Sequence, residues 1–206
     1  MHIHLCNERP YCVIEFLKNL ATVRNGVAFR EAVRHVEGAP IAVVQAGDIG
    51  LEGNIRLEEL LRISSVPTQG DARSLTPGEV LLQSRGQSYR AGVVPPHAGS
   101  MVAAASVLIM TPGPALLPAY LAQFLNSPST QMELRARATG ATIANLKKSE
   151  LEQLLVPVPS LGDQEKLVAL GAALRVQLRI EARLAELRRL QLRALMKERA
   201  ERNRGR

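Results

Sequence analysis

The stretch Arg85-Gly86-Gln87-Ser88-Tyr89 gathers a cation, two polar side chains and a phenol around a glycine, the residue mixture of a phosphate-cradling loop. Its spacing is wrong for one, because nucleotide loops close on Gly-Lys-Ser/Thr so that backbone N–H groups and the lysine meet the phosphates together. Asp163, Glu165 and Lys166 have the residue types of a nuclease metal site, again at the wrong spacing. Carboxylates at a helix start are already favoured by the positive end of the helix dipole. His2, His4 and Cys6 alternate and would share one face of a strand, but no second ligand cluster follows them and no metal is expected. Cys6 and Cys12 lack both metal-site and disulfide-framework spacing and read as reduced thiols in a reducing compartment. There is no Gly-x-Ser-x-Gly elbow, no Asn/Asp-Pro-Pro-aromatic motif of an amino-methyltransferase and no glycine-rich cofactor turn. The residues therefore predict binding rather than catalysis, with no cofactor in this chain.

Composition narrows what is bound. With 46% hydrophobic and 22% charged residues over 206 positions, the chain can bury a real core, which suits one domain and an appendage. Aromatic residues make up only 3%, so the core must be aliphatic and stacking on exposed bases is not the expected mode of nucleic-acid binding. Duplex is favoured over single strand. A net charge of +7 and a pI near 10.0 favour polyanions. The excess is concentrated at the end: residues 151–206 hold 12 Lys/Arg against 7 Asp/Glu, and residues 1–150 hold 14 against 12. No signal peptide and no apolar run of membrane-span length is read, so the expectation is a cytoplasmic protein with no membrane partner.

The elements that must position these residues follow from periodicity. Residues 1–155 mix short strand-like runs with Gly/Pro breaks, predicting an α+β (mixed α/β) domain with several loops. Strands are predicted at residues 41–45, 79–84, 91–95 and 101–110. Pro118 in a first-turn position precedes a helix over 119–126, Ser127-Pro128 caps and starts another over 129–138, and Ser149 with Glu152 forms the capping box of a short third. In Val156-Pro157-Val158-Pro159-Ser160 the prolines exclude helix and central strand, predicting a linker over 156–162. Residues 163–206 then predict one long amphipathic C-terminal α-helix, frayed from Arg199, because Leu167, Leu170, Leu174, Leu178, Ile180, Leu184, Leu187, Leu190 and Leu195 recur at helical spacing. At ~1.5 Å per residue such a helix is on the order of 55 Å long, and its stripe needs a partner, either a second copy or another protein. Arg183 and Arg188 interrupt the seam, which favours packing on other helices over a regular two-stranded coil.

From Leu75 to Val168 the chain resembles the second half of a target-recognition domain of type I restriction-modification specificity subunits, with the start of the helix that follows it. The matching segments are Leu75-Thr76-Pro77-Gly78-Glu79-Val80-Leu81-Leu82, Ser84-Arg85-Gly86, and Leu117-Pro118-Ala119-Tyr120-Leu121-Ala122-Gln123-Phe124-Leu125-Asn126-Ser127-Pro128. Thr139-Gly140-Ala141-Thr142-Ile143 follows, with Leu146, Leu151 and Leu154, and then Val156-Pro157-Val158-Pro159-Ser160-Leu161 and Gln164. A fainter echo is Gly26-Val27-Ala28-Phe29-Arg30 with Gly47-Asp48-Ile49.

The resemblance implies a non-catalytic subunit that binds double-stranded DNA and directs a methyltransferase (modification) subunit, which brings S-adenosylmethionine, and a restriction subunit. Such subunits carry two recognition domains and two long helices, whereas this chain has one of each, which implies a homodimer through the helix or a pairing with a different half. On this reading Gln83, Arg85, Gln87, Tyr89 and Arg90, between two predicted strands, are the first candidates for reading bases. Arg matches guanine's two acceptors and Gln can do the same for adenine. Arg30, Arg34, Lys147 and Lys148 are the phosphate candidates. Leu167, Leu170, Leu174, Leu178, Leu184, Leu187 and Leu190 are the candidate interface for dimerisation and methyltransferase docking. A stand-alone dimeric DNA-binding regulator and a helical scaffold without DNA readout remain as alternatives.

Overall fold

Val80-Leu81-Leu82 and Val107-Leu108-Ile109-Met110 contain no polar side chain, the pattern of strands covered on both faces rather than one. The computed structural model describes residues 13–50, 53–66, 74–97, 99–140 and 144–204, with side chains up to residue 197, and pairs these two runs in the middle of a four-stranded antiparallel sheet. The strands are β1 (Val13–Phe16), β2 (Ala21–Asn25), β3 (Ile41–Val44), β4 (Leu61–Ile63), β5 (Val80–Gln83), β6 (Ala91–Val93), β7 (Met101–Ala103), β8 (Val107–Pro112) and β9 (Leu155–Val158). The helices are α1 (Leu17–Leu20), α2 (Pro118–Leu125), α3 (Pro128–Arg137), α4 (Lys148–Glu152) and α5 (Leu161–Arg204).

The four-stranded sheet runs β2-β8-β5-β6, a three-stranded sheet runs β4-β3-β7 with β3 and β7 parallel, and β1 pairs with β9. Strand alternation divides the central strands between two cores. Val80, Leu82, Leu108 and Met110 pack with Leu121, Leu125, Leu134, Leu146 and Leu151 of the helical layer. Leu81, Val107 and Ile109 pack with Ala42, Val44, Met101 and Ala103 of the three-stranded sheet. A third cluster, in which Phe29 and Val33 pack on Val43 and Val102, covers that sheet's other side. The α+β fold and the long C-terminal helix are those expected from the sequence.

Three local expectations are corrected. The run 101–110 is two strands in different sheets, β7 and β8, separated by a turn in which Val107 N–H donates to Ala104 O at 2.9 Å. No Gly or Pro marks that turn, and Ser106 is the only polar residue in the run that conceals it. Ser149 does not cap α4, which begins at Lys148 behind Lys147, whose side chain makes no cap bond. Burial of Leu146 and Leu151 sets that start instead. The proline stretch expected as a linker is β9, registered so that Val13 faces Val158 and Phe16 faces Leu155, with Val156 fully buried. Prolines are tolerated because β9 has a neighbouring strand on one side only. The chain separates into two units after Val168, so β9 and the first two turns of α5 belong to the domain. His2, His4, Cys6 and Cys12 lie outside the described residues; among those described, no three His, Cys, Asp or Glu side chains group as a metal site and no helix is long and apolar enough to cross a membrane.

One ion pair ties the sheet across its middle strand. Arg24 on β2 reaches over β8 to Glu79, at the start of β5, with Nη2 3.1 Å from both carboxylate oxygens. Glu79 also accepts from Thr111 Oγ1 at 3.0 Å and from Thr76 N–H at 2.8 Å. Removing one partner of a buried pair strands the other charge in the core. Glu79→Leu is therefore expected to lower the unfolding free energy by about 3–5 kcal/mol in urea titration, and the double change Arg24→Met with Glu79→Leu to recover most of that loss; a loss under ~1 kcal/mol for the single variant would contradict this role.

Candidate nucleic-acid interface

The loop joining β5 to β6 is laced to a second loop from far along the chain. Gln83 N–H donates to Arg90 O at 2.9 Å, closing the first loop at its base. Thr139 and Asn145 exchange both backbone hydrogen bonds, at 3.1 and 2.8 Å, closing the second. Gly86 N–H donates to Ala144 O at 3.0 Å and Leu146 N–H donates to Ser84 O at 2.8 Å, so the two loops are joined side by side. Gly86 takes φ +112°, where a Cβ would sit 3.2 Å from Gln83 Nε2, and only glycine suits that turn. Gln83 Nε2 in turn donates to Arg85 O at 2.9 Å and stiffens the tip.

The predicted site residues separate into three groups. Arg85, Gln87 and Lys147 are exposed and Arg90 is half-buried on the joined loops. Among the described residues, Arg85, Arg90 and Lys147 have no carboxylate partner, whereas Lys148 pairs with Glu152 at 3.5 Å. Gln83 braces the loop, as above. Arg30 and Arg34 belong elsewhere: they are exposed on the segment that lays Phe29 and Val33 on the three-stranded sheet. Tyr89 is a correction, because its ring is only 1% exposed and belongs to the main core rather than to the reading surface. Among the described residues its hydroxyl finds no hydrogen-bond partner. Burial raises its pKa above the ordinary tyrosine value, opposed by the nearby Arg135 guanidinium.

Residues that sequence reasoning left without a role hold this surface in place. Asn126 and Gln131 bond the backbone of Ala91 and Tyr89, and Arg135 Nε donates to Gln87 O at 3.2 Å. Fully buried Gln164 accepts from Leu117 N–H at 2.8 Å and donates to Ala115 O and Pro159 O, each at 2.9 Å. Together with the bond from Gln123 Nε2 to Leu167 O at 2.9 Å, it fixes the first turns of α5 to the domain. Amide-to-backbone bonds between residues 35–49 positions apart leave no local pattern to read.

The second unit is the remainder of the 44-residue helix α5. All seven candidate interface leucines are exposed, from 41% at Leu167 to 67% at Leu170. They do not form one stripe. At ~100° per residue, Leu167, Leu170, Leu174 and Leu178 fall within a sector of about 80°, while Leu184, Leu187 and Leu190, joined by Val176 and Ile180, fill a sector centred roughly 140° away. The helix thus carries two apolar faces, and exposed Leu192 and Met196 take up the first again beyond Leu190.

No family model and no curated protein sequence matches the chain. Solved structures do. A chain from a structure of complex assembly and conformational transition in the type I R-M system aligns at TM-score 0.66 and 19% identity, over 92% of this chain and 46% of the other. The HsdS subunit from Thermoanaerobacter tengcongensis aligns at TM-score 0.59 and 16% identity, over 86% and 41%. The type I restriction-modification S subunit from M. genitalium aligns at TM-score 0.55 and 17% identity, over 92% and 46%. The chain has the fold of type I specificity subunits and spans under half the length of each.

The buried Tyr89 hydroxyl generates a prediction. Losing an unsatisfied buried hydroxyl should raise stability, so Tyr89→Phe is expected to gain about 1 kcal/mol at neutral pH in denaturant titration. Because the folded-state pKa is raised, the native protein loses stability as pH climbs above the unfolded tyrosine pKa of ~10, so the advantage of Tyr89→Phe should widen there. A destabilised variant would show that the hydroxyl has a partner.

Proposed function

We propose that this chain is a DNA-recognition half of a type I-like restriction-modification specificity subunit, which directs a methyltransferase subunit, and a restriction subunit with it, to a duplex target. The observation that carries this reading is the joined pair of loops, which presents Arg85, Arg90 and Lys147 without carboxylate partners on a fold shared with S subunits. Arg85, exposed on the first loop, suits guanine, whose O6 and N7 match a guanidinium fork, and Gln87 suits adenine. Arg90, Lys147 and Lys148 set register on phosphates, and Arg30 and Arg34 do so from a separate part of the domain. The chain performs no chemistry itself. S-adenosylmethionine belongs to the methyltransferase.

Helix α5 is the assembly element. An exposed apolar helix face of this length needs a partner in water, and two faces provide for two. One takes a second long helix, from another copy of this chain, and the other takes the methyltransferase subunit. A homodimer would place two recognition domains about a two-fold axis and read a palindromic, interrupted site; a different half would give an asymmetric one.

Two measurements test this. Light scattering should give a mass near twice 22.4 kDa, rising further on addition of the methyltransferase encoded nearest to this gene; a monomer indifferent to that methyltransferase would overturn the assembly. In anisotropy titrations on a preferred duplex, Arg85→Ala with Arg90→Ala should abolish discrimination from a scrambled duplex. Lys147→Ala should weaken both duplexes alike and reduce the slope of log K against log salt by about 1. Unchanged binding in both variants would remove the loop from the interface.

A further inference from the structure

Strand β6 is the outer strand of its sheet, and an outer strand leaves every second residue's N–H and C=O pointing away from its neighbour. On β6 and the loop before it, those residues are Tyr89, Ala91 and Val93, because Arg90 O is used by Gln83 on β5, and the first two form the edge beside the loop. Their free edge is covered by side chains. Asn126 Oδ1 accepts from Ala91 N–H at 2.9 Å, and Asn126 Nδ2 donates to Ala91 O at 2.8 Å. Gln131 Oε1 accepts from Tyr89 N–H at 3.2 Å, and Gln131 Nε2 donates to Tyr89 O at 2.7 Å and to Leu125 O at 2.7 Å. A primary amide offers a donor and an acceptor side by side, as a residue of a paired strand does. The ladder continues one step further, to Gln87 O, through Arg135, which lies four residues after Gln131 on the same face of α3. Residues 87, 89 and 91 are therefore held at the two-residue period of a sheet by an α-helical hairpin that is itself anchored in the core through Leu121, Leu125 and Leu134.

We propose that Asn126, Gln131 and Arg135 are positioning residues for sequence readout: a side-chain strand that fixes the register of the loop bearing Arg85 and Gln87 without touching DNA. This rests on the loop being the DNA reader. Phosphate contacts tolerate a loose loop, because charge attraction acts over several ångströms, whereas a bidentate contact to a base edge does not. Loss of the ladder should therefore reduce specific binding and spare non-specific binding.

The test uses the full chain and the near-isosteric change Gln131→Leu, with Arg135→Met as the milder variant that leaves the buried face of α3 intact. Affinities for a preferred and a scrambled duplex are measured across a salt series, alongside thermal unfolding and amide exchange at Tyr89. The expected result is a fall of about tenfold or more in preference for the chosen duplex, with the scrambled-duplex affinity and salt slope unchanged and faster exchange at Tyr89. Gln131→Glu, which keeps the acceptor for Tyr89 N–H, should recover part of the preference. Equal losses on both duplexes, or faster exchange with the preference intact, would overturn the proposal and leave these residues a purely structural role. If neither Gln131 variant folds, Arg135→Met decides by the same ratio. A native chain that does not distinguish the two duplexes would sink the DNA-reading function and this proposal with it, while the Tyr89 exchange would still report whether the clamp holds the loop.

Discussion

Burial of both faces of β5 and β8 is the constraint on which the rest of this molecule depends. A strand with a core on each side has no position for a polar side chain within its span, so polar residues are displaced to its ends. Ser84 to Arg90 is such an end, and it is also where the chain must turn. The sheet that excludes charge from its middle therefore concentrates Arg85, Gln87 and Arg90 at one rim. The exception is Glu79, which enters the core only because Arg24, Thr111 and the Thr76 N–H meet it there.

The same constraint explains what could be read from the sequence. Strands β3, β5, β6 and β8 were legible as apolar runs, and α2 and α3 as proline-started helices, with Ser127 capping the second as its position suggested. The long helix was legible from its length without proline. The ordered motifs from Leu75 to Gln164 pointed to the fold that the solved structures share. The sequence singled out the loop with its cations and, separately, the neighbourhood of Lys147, although nothing in it joined the two.

What was missed depends on tertiary context. Tyr89 looked like a loop residue because its neighbours are polar, but strand alternation turns its ring into the core. The Val-Pro-Val-Pro stretch looked like a linker because proline disfavours sheets, yet a two-stranded sheet leaves room for it. Asn126, Gln131 and Gln164 looked like ordinary polar residues because their partners lie dozens of positions away. The helix stripe looked single because most of its leucines are three or four residues apart; only the accumulated angle along α5 shows that they fall on two faces.

The rim of the domain presents a few polar side chains and helix α5 carries two apolar faces; on the proposed function recognition belongs to the first and assembly to the second. On that proposal the domain reads sequence in duplex DNA through the joined loops. The most direct measurement is selection by the purified chain from a randomised duplex pool, followed by sequencing of the retained fraction, with the Arg85→Ala, Arg90→Ala double variant carried in parallel. The native chain is expected to enrich a short defined sequence and the variant none. A native pool that stays random, or the same sequence enriched by both proteins, would contradict it.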